Sequence, residues 1–433
     1  MKLTVLGGGG FRTPYIFHEL ITRPDAPHID ELVLFDPSAD RLAVIAAILV
    51  QMTGIAEVPV RTTTSAEDAI TGADVVFAAV RTGGLDGRLH DERTALDLGV
   101  IGQETTGAGG ISFALRTVPV MVEYARLIAR TAPNALVINF TNPAGIITEA
   151  MQAVLGDRVI GICDTPSGLV RRVGELLGAP ITELDYVGLN HLGWLRAAGV
   201  DGRDRLPELL ADDERLAQLE ETTVFGAEWI RALGAIPNEY LWYYYCTREA
   251  LESLRHGSTR GAQLAQTQRE LFTAVAADPR HALTIWLAAV RARNASYMAD
   301  ARGSLKAEDE PDDALFAESY AGVAVSVIVG LRGAGAAAPL IVNVRNAGAV
   351  AGLPDDAVVE IPALLTPDGI QRQSIAAPTE HQLGLMLQVK AVERLAIRAA
   401  LTGDPKAALA AFAEHPLVDS VSVARRLRDE WRP

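Results

Sequence analysis

The first third of the chain alternates short apolar runs with helix-like segments. The apolar runs have strand length and lie at residues 3–6, 31–36, 74–80, 135–140 and 158–162, and a helix-like segment covers 14–22. Apolar runs separated by helical patterns are typical of strands buried on both faces of a parallel sheet. The pattern therefore predicts a doubly wound α/β domain over residues 1–170.

The pattern changes after about residue 170. Alanine- and leucine-rich helical stretches cover residues 206–219, 267–275 and 385–402, and strand-like runs appear at 340–344 and 358–361. We therefore expect residues 171–433 to form a mixed α/β, helix-rich domain that packs on the first one, closes the active site and forms a subunit interface. An acidic run at 307–313 is expected to be a solvated loop.

The composition indicates a globular protein with two closely packed domains. The chain has 433 residues, of which 49% are hydrophobic and 21% are charged. Its net charge of −15 disfavours nucleic acid and anionic membranes as partners, although a few arginines in a cleft can still attract a small anion. The two cysteines, Cys163 and Cys246, suit a reducing cytoplasm. We expect the N-terminus to be a strand rather than a targeting signal, and no membrane span.

A glycine-rich turn follows the first predicted strand. It consists of Gly7, Gly8, Gly9 and Gly10. Glycines here let the backbone approach a pyrophosphate at a helix N-terminus, although the strict G-x-G-x-x-G spacing is not met. Asp36 ends the second strand, where a carboxylate binds the ribose hydroxyls of NAD and repels the 2′-phosphate of NADP; a helix cap is the structural alternative. The order of these features favours an NAD site in a Rossmann-like domain.

Two further polar residues follow predicted strands, and a third lies in a turn. Cys163 follows the run at 158–162 and is expected at the carboxyl edge of the sheet, where open parallel sheets bind ligands. His191 lies in a short turn, and a thiolate with an imidazole suits a divalent transition metal. By itself, however, a lone cysteine is usually a buried small hydrophobe. Asn142 either binds substrate or builds an Asn-Pro turn.

These residues lie in segments that resemble glycoside hydrolase family 4, the NAD- and divalent-metal-dependent glycosidases, over essentially the whole chain. The matching segments, in order, are VLGGGGFRTP, RTGGLDGR, VIGQETTGAGG, INFTNPAG, GICDTP, GLNHLGW, IPNEYLWYYY and DDAVVEIP. One such segment is weak evidence, but eight in order are highly specific. Two of them, IGQETTGAGG and IPNEYLWYYY, resemble most the 6-phospho-β-glucosidases of the family.

The resemblance implies a reaction and the residues that carry it. A hydride would first be transferred from C3 of the sugar to NAD⁺, and Tyr240 would then remove the C2 proton. Cys163 and His191 would hold a divalent metal such as Mn²⁺. Elimination of the aglycone, addition of water and re-reduction would complete hydrolysis and regenerate NAD. Phe11 replaces a small polar residue of the family pattern and would join the glycines in the cofactor site.

The resemblance also implies a small phosphorylated sugar as substrate. Arg88, Asn142 and Arg260 would bind its 6-phosphate, because the guanidinium fork matches phosphate oxygens, and Asn190 would contact the substrate. A surface ion pair is the alternative for each arginine. We further expect a cytoplasmic homodimer or homotetramer.

Asp164 departs from the pattern of the subgroup. The family's 6-phospho-β-glucosidases carry Asn after the metal cysteine, whereas its 6-phospho-α-glucosidases carry Asp and can use it as the acid for the leaving group. Asp164 is therefore a candidate catalytic residue, and a 6-phospho-α-glucosidase is an alternative function. A 2-hydroxyacid dehydrogenase of the lactate or malate type and an inactive NAD sensor are alternatives from other classes.

Overall fold

The computed structural model describes residues 1–53, 58–256, 259–295, 320–333 and 338–431. The acidic run at 307–313 lies outside these residues. Within them, thirteen strands form one sheet. No helix in this part of the chain is long and apolar enough to cross a membrane.

The strands change from parallel to antiparallel along the sheet. They are β1 (Lys2–Leu6), β2 (Glu31–Phe35), β3 (Val60–Thr63), β4 (Val75–Ala78), β5 (Leu136–Asn139), β6 (Val159–Gly161), β7 (Glu183–Leu189), β8 (Leu192–Val200), β9 (Arg203–Asp204), β10 (Ile236–Pro237), β11 (Leu340–Arg345), β12 (Val358–Thr366) and β13 (Gly369–Arg372). Their order is β10-β8-β7-β12-β11-β6-β5-β4-β1-β2-β3, with β13 beside β12 and β9 beside β8.

The parallel half confirms the predicted doubly wound sheet. Strands β3, β2, β1, β4, β5 and β6 pair in parallel in that order, which is the arrangement of dinucleotide-binding domains. Alternate residues of the inner strands pack on opposite faces, as Val75 and Val76 do, so both faces are buried there, whereas the edge strand β3 is partly exposed. This explains why the strands appear in the sequence as continuous apolar runs.

The antiparallel half extends the same sheet. Strand β11 pairs with β6 through Asn343 and Gly161, and β12, β7, β8 and β10 follow. The sequence predicted β11 and β12 but not the β7–β8 hairpin, whose turn carries His191. Because the sheet is continuous across residue 170, the division into two domains there stays a prediction.

Helices pack around the sheet and dominate the second half of the chain. In the described residues they are α1 (Thr13–Thr22), α2 (Ala39–Met52), α3 (Ala66–Ile70), α4 (Gly84–Asp97), α5 (Gly107–Thr131), α6 (Ala144–Leu155), α7 (Asp164–Leu177), α8 (Leu206–Ala211), α9 (Asp213–Leu216), α10 (Glu220–Phe225), α11 (Ala227–Leu233), α12 (Trp242–Tyr245), α13 (Thr247–His256), α14 (Arg260–Ala277), α15 (Ala282–Ala295), α16 (Tyr320–Arg332), α17 (Glu380–Thr402), α18 (Pro405–Glu414) and α19 (Val421–Glu430).

The helix predicted over residues 206–219 is wrong. The segment forms two short helices, α8 and α9, that are separated at Asp212. The Asp212 side chain accepts hydrogen bonds from the N–H groups of Glu214 and Arg215, and so begins a new helix. A capping carboxylate competes with helix continuation, which the apolar periodicity does not reveal.

Candidate active site

A cavity of about 1590 Å³ lies at the carboxyl edge of the parallel strands. Residues directly after four of these strands line it, namely Gly7 after β1, Ala79 after β4, Phe140 after β5 and Ile162 after β6. This edge is where open parallel sheets bind ligands. The volume exceeds the roughly 300–1,000 Å³ of ordinary small-molecule sites, so more than one ligand can be accommodated.

The glycine turn fits closely between β2 and β4. Gly7 has a φ of 85°, and a Cβ there would lie 2.4 Å from the carbonyl oxygen of Ala79. A Cβ on Gly9 would lie 2.8 Å from Cγ of Asp36. Gly7 and Gly10 line the cavity, while Gly8 packs behind them against Leu34. Backbone therefore faces the cavity where side chains would close it.

Asp36 lies at the end of β2 and lines the cavity with 9% of its surface exposed. Its Oδ1 accepts a hydrogen bond from the N–H of Ser38 at 3.0 Å. The cap of α2 is Ser38 itself, whose hydroxyl accepts from the N–H of Arg41, so the helix-cap alternative for Asp36 is wrong. The carboxylate thus remains at the cavity wall beside the glycine turn.

Two aromatic side chains of the second half of the chain hold the segment after the glycines. Trp286 of α15 donates its Nε1–H to the carbonyl of Phe11 at 3.0 Å, and the hydroxyl of Tyr320 in α16 donates to the carbonyl of Arg12. Phe11 is buried and lines the cavity. The predicted cofactor segment is therefore fixed from outside its own β–α unit.

Cys163 and Asp164 lie where β6 passes into α7. Cys163 is the N-cap residue of α7 and Asp164 its first residue, with 3.9 Å between the Cys163 Sγ and the Asp164 Oδ1. Both line the cavity. Burial, together with the charges of Asp164 and Glu360, raises the pKa of the Cys163 thiol. Without a cation nearby, this sulfur is therefore protonated.

His191 and Tyr240 form a stacked pair that also lines the cavity. His191 occupies the β7–β8 turn with a φ of 64°, and its Nδ1 lies 2.8 Å from the Thr105 hydroxyl. The rings of His191 and Tyr240 are parallel within 4°, with centroids 3.8 Å apart. Burial lowers the pKa of His191 to about 4, so the imidazole is neutral at pH 7. Asn238 accepts a hydrogen bond from the Tyr240 N–H at 3.0 Å and fixes the backbone there.

Asn190 lies beside His191 but does not line this cavity. Its Nδ2 donates to Oε1 of Glu360 at 3.2 Å, and Glu360 also accepts from Asn343 and from the Tyr186 hydroxyl. Glu360 is fully buried, and burial raises its pKa to about 7. In this arrangement Asn190 anchors the His191 turn to β12, and its role as a substrate ligand stays a prediction.

The three residues predicted to bind phosphate all line the cavity. Arg88 is buried and donates from Nε to Glu92 at 2.7 Å and from Nη1 to Glu104 at 2.6 Å, so its ion pairs are not at the surface. Arg260 begins α14 and donates from Nη2 to the Arg293 carbonyl at 3.0 Å. Asn142 precedes Pro143 through a cis peptide bond at the end of β5.

Several charged residues of the cavity wall were not found from the sequence. They are Arg12, Arg81, Arg293, Glu92, Glu104 and Glu239. Burial lowers the pKa of Arg81, as do the neighbouring charges of Arg88, Arg12 and Arg293. Burial and Arg12 likewise lower the pKa of Arg293 to about 10. This concentration of arginines in an acidic protein is suited to an anionic ligand. Glu104 lies in the segment VIGQETTGAGG, which could have identified it.

Known proteins match this chain over nearly its whole length. The model of the family 4 glycosyl hydrolases matches residues 2–179, and that of the family's C-terminal domain matches residues 186–418. A Bacillus subtilis protein named probable 6-phospho-beta-glucosidase is 32% identical over 99% of this chain and 95% of its own length.

Two groups of solved structures are similar over the whole fold. The 6-phospho-beta-glucosidase of Thermotoga maritima with manganese, NAD⁺ and glucose-6-phosphate has a TM-score of 0.84 and 30% identity, covering 99% of this chain and 97% of that one. A 6-phospho-alpha-glucosidase from gut microorganisms with NAD and glucose-6-phosphate has a TM-score of 0.81 and 28% identity, covering 99% and 96%.

Proposed function

The chain belongs to glycosyl hydrolase family 4 and is a glycosidase, and we propose that it hydrolyses 6-phospho-β-glucosides with a bound NAD and a divalent metal ion such as Mn²⁺. Its similarity to proteins named 6-phospho-β-glucosidase supports this substrate class, and the ligands of the Thermotoga maritima structure support both cofactors. Membership of the family favours this function over a 2-hydroxyacid dehydrogenase.

One observation carries the proposal. A single cavity contains the glycine turn and Asp36 on one side and Cys163, His191 and Tyr240 on the other. A dehydrogenase of the lactate or malate type needs the first set of residues but has no use for a thiol beside an imidazole and a tyrosine. A dinucleotide and a sugar can therefore bind next to each other in the same cavity.

Cys163 and His191 fit a divalent metal by their chemistry. His191 is neutral, and the contact of its Nδ1 with Thr105 leaves Nε2 as the nitrogen for a ligand bond. A cation would stabilise the thiolate of Cys163, whose proton is otherwise retained because of burial. The described residues contain no group of three or more His, Cys, Asp or Glu side chains that could hold a metal, so a metal bound by Cys163 and His191 would need further ligands from substrate or water.

Each remaining residue is assigned the role that the family resemblance implies, and its place in the cavity wall supports that role. When bound, the metal supplies a Lewis acid and NAD a reversible hydride acceptor. The Tyr240 hydroxyl, on a ring held by stacking on His191, takes the proton from C2 of the sugar once C3 is oxidised. Asp36 binds the ribose, and the Gly7–Gly10 turn admits the pyrophosphate. Arg88, Asn142 and Arg260 bind the 6-phosphate.

A second candidate function is hydrolysis of 6-phospho-α-glucosides. Asp164 favours it, because this carboxyl group borders the cavity next to Cys163 and could protonate a leaving group. An elimination that starts at C2 constrains the configuration of the broken bond less than a direct displacement does. Turnover of both anomers is therefore compatible with the same set of residues.

A substrate screen tests the proposal and separates the two candidates. The purified enzyme is assayed with 4-nitrophenyl 6-phospho-β-glucoside, its α-anomer and the two unphosphorylated glucosides, each with and without NAD⁺ and Mn²⁺. We expect nitrophenol release from the phosphorylated β-anomer only when both cofactors are present, and no net NADH. Equal rates without the phosphate group, or stoichiometric NADH without nitrophenol, would contradict the proposal.

We also propose that the enzyme is a cytoplasmic homodimer or homotetramer. Cys163 and Cys246 are both free thiols, which fits a reducing compartment. The proposal of an oligomer rests on the family resemblance of the helix-rich second half. Light scattering during size-exclusion chromatography measures the subunit number directly.

A further inference from the structure

We infer that Glu92 is a positioning residue for the anion subsite, because its buried carboxylate joins Arg88 to the first turn of α14, which begins with Arg260. The inference rests on the proposed function, in which Arg88 and Arg260 bind the substrate phosphate. It adds a residue that does not itself touch the phosphate but fixes the two arginines relative to each other.

The Glu92 carboxylate makes one contact with each of two helices. It lies on α4 with 1% of its surface exposed. Its Oε1 accepts from Arg88 Nε at 2.7 Å, one helical turn away. Its Oε2 accepts from the backbone N–H of Gly261 in α14 at 3.1 Å. A single side chain therefore connects two helices that are distant in sequence.

The contact with Gly261 provides a hydrogen-bond acceptor for one of the N–H groups at the start of α14. The first N–H groups of a helix have no partner within the helix and carry the positive end of its dipole. Thr259 accepts a hydrogen bond from the Ala262 N–H at 3.2 Å, and Glu92 accepts from the Gly261 N–H. Arg260 lies directly before these two capped N–H groups. Its backbone is therefore fixed by α4 as well as by its own helix.

Gly261 allows the two helices to approach this closely. A Cβ at this position would lie 2.4 Å from Oε2 of Glu92 and 2.8 Å from its Cδ. A side chain at 261 would therefore displace either the Glu92 carboxylate or the start of α14, and either movement breaks the contact between the two helices. The distance between the two arginines depends on a residue without a side chain and on the carboxylate that it contacts.

A buried carboxylate beside an anion site is unfavourable for anion binding unless it has another task. Its charge repels phosphate, and a side chain that acted only through its charge would weaken binding. If Glu92 acts only through its charge, removing the charge should strengthen phosphate binding. If Glu92 positions the two arginines, removing the charge should weaken phosphate binding. The sign of the change in phosphate affinity therefore distinguishes the two roles.

The test uses two variants with different chemistry. Gly261→Ala breaks the contact between Glu92 and the start of α14 without changing any charge. Glu92→Gln keeps an acceptor for the Gly261 N–H but removes the charge that pairs with Arg88. Gly384→Ala is the matched control, because Gly384 also lies inside a helix and a Cβ there would meet nothing within 4 Å. The NAD- and Mn²⁺-loaded enzymes are assayed with 4-nitrophenyl 6-phospho-β-glucoside, with inorganic phosphate as the inhibitor.

We expect both variants to bind phosphate more weakly. The inhibition constant of phosphate and the KM of the glucoside should rise by about 10-fold in Gly261→Ala and roughly 3- to 10-fold in Glu92→Gln, with kcat within about 3-fold of wild type. The dissociation constant of NAD should not change. Gly384→Ala should match the wild type in each of these measurements.

Two results would overturn the inference. Tighter phosphate binding in Glu92→Gln would show that the carboxylate acts only by its charge, and an equal loss of NAD and phosphate affinity would show a general structural role. The wild-type arm measures the proposed function separately. If the wild type does not turn over the phosphorylated glucoside and is not inhibited by phosphate, the proposed function is wrong and the inference is wrong with it. If the wild type turns over the glucoside and is inhibited by phosphate, but both variants behave like Gly384→Ala, only the inference is wrong.

Discussion

The two ends of the cavity are built in different ways. The cofactor end comes from residues 2–36, in which one strand, a glycine turn, a helix and a second strand follow each other. The reaction end is assembled from Arg88, Cys163, His191, Tyr240 and Arg260, which lie on separate elements. The first end therefore depends on local backbone geometry, and the second depends on long-range packing.

This difference shows where each end is sensitive to substitution. At the cofactor end, the backbone of the glycine turn and one carboxylate line the cavity, so a single side-chain change should alter affinity by a limited amount. At the reaction end, each side chain has its own chemical task and is held by a neighbour, as Tyr240 is by His191. One substitution there should abolish the chemistry and leave NAD binding unchanged.

The largest expected effect comes from Cys163→Ser. A hydroxyl is a poor replacement for a thiolate ligand, so metal affinity should be lost and turnover should fall by about 10³-fold or more. Mn²⁺ binding, measured by electron paramagnetic resonance, should weaken in parallel, whereas the dissociation constant of NAD should stay within about 3-fold of wild type. Cys246→Ser, at the other free thiol, is the control. Wild-type Mn²⁺ affinity in Cys163→Ser would remove the cysteine from the metal site.

A smaller effect is expected at the cofactor end from Asp36→Asn. Loss of the charged acceptor for the ribose hydroxyls should raise the KM for NAD⁺ by roughly 10- to 100-fold, because hydrogen bonds to charged groups contribute about 1.5–3 kcal/mol. Discrimination against NADP⁺ should fall at the same time, and kcat at saturating NAD⁺ should change little. Unchanged discrimination between the two dinucleotides would contradict the role of Asp36.

The smallest expected effect is on the pH dependence of stability. Burial lowers the pKa of His191 from 6.5 to about 4, so below pH 6.5 the unfolded chain takes up a proton that the folded chain does not. The stabilisation by neutral His191 is therefore complete above pH 6.5 and is lost as the pH falls toward 4. Between pH 7 and 5, the unfolding free energy of the metal-free wild type should fall by on the order of 2 kcal/mol more than that of His191→Gln.

Urea denaturation at the two pH values measures this difference. His281→Gln, at an exposed histidine, provides the control and should follow the wild type. Identical pH dependence in the wild type and in His191→Gln would mean that His191 is not held neutral by burial.

The same comparison explains how much the sequence could predict. The order of strands β1 and β2, the glycine turn and Asp36 was correctly predicted, because each signal lies next to the following one along the chain. Five of the six parallel strands were found for a similar reason, since burial on both faces makes each of them a continuous apolar run, whereas β3 was missed because it is a partly exposed edge strand. The β7–β8 hairpin was missed, since its pairing is not visible in a short apolar run.

The reaction end could not be derived from local patterns. Cys163, His191 and Tyr240 were identified through the family resemblance, because nothing in their own segments shows that they face one cavity. Glu92 was not found at all. A glutamate in a polar helix is usually solvated, and it is buried here because Arg88 and the N-terminus of α14 both contact it.

The central claim is that Tyr240 removes the C2 proton before the aglycone leaves. Hydrolysis of 4-nitrophenyl 6-phospho-β-glucoside by the wild type in D₂O tests it most directly, with the released glucose-6-phosphate analysed by NMR. We expect deuterium at C2 and the original hydrogen at C3, and in Tyr240→Phe a loss of turnover of roughly 10²–10⁴-fold with NAD affinity retained. Normal release of nitrophenol without deuterium at C2, and without an isotope effect from C2-deuterated substrate, would contradict the mechanism.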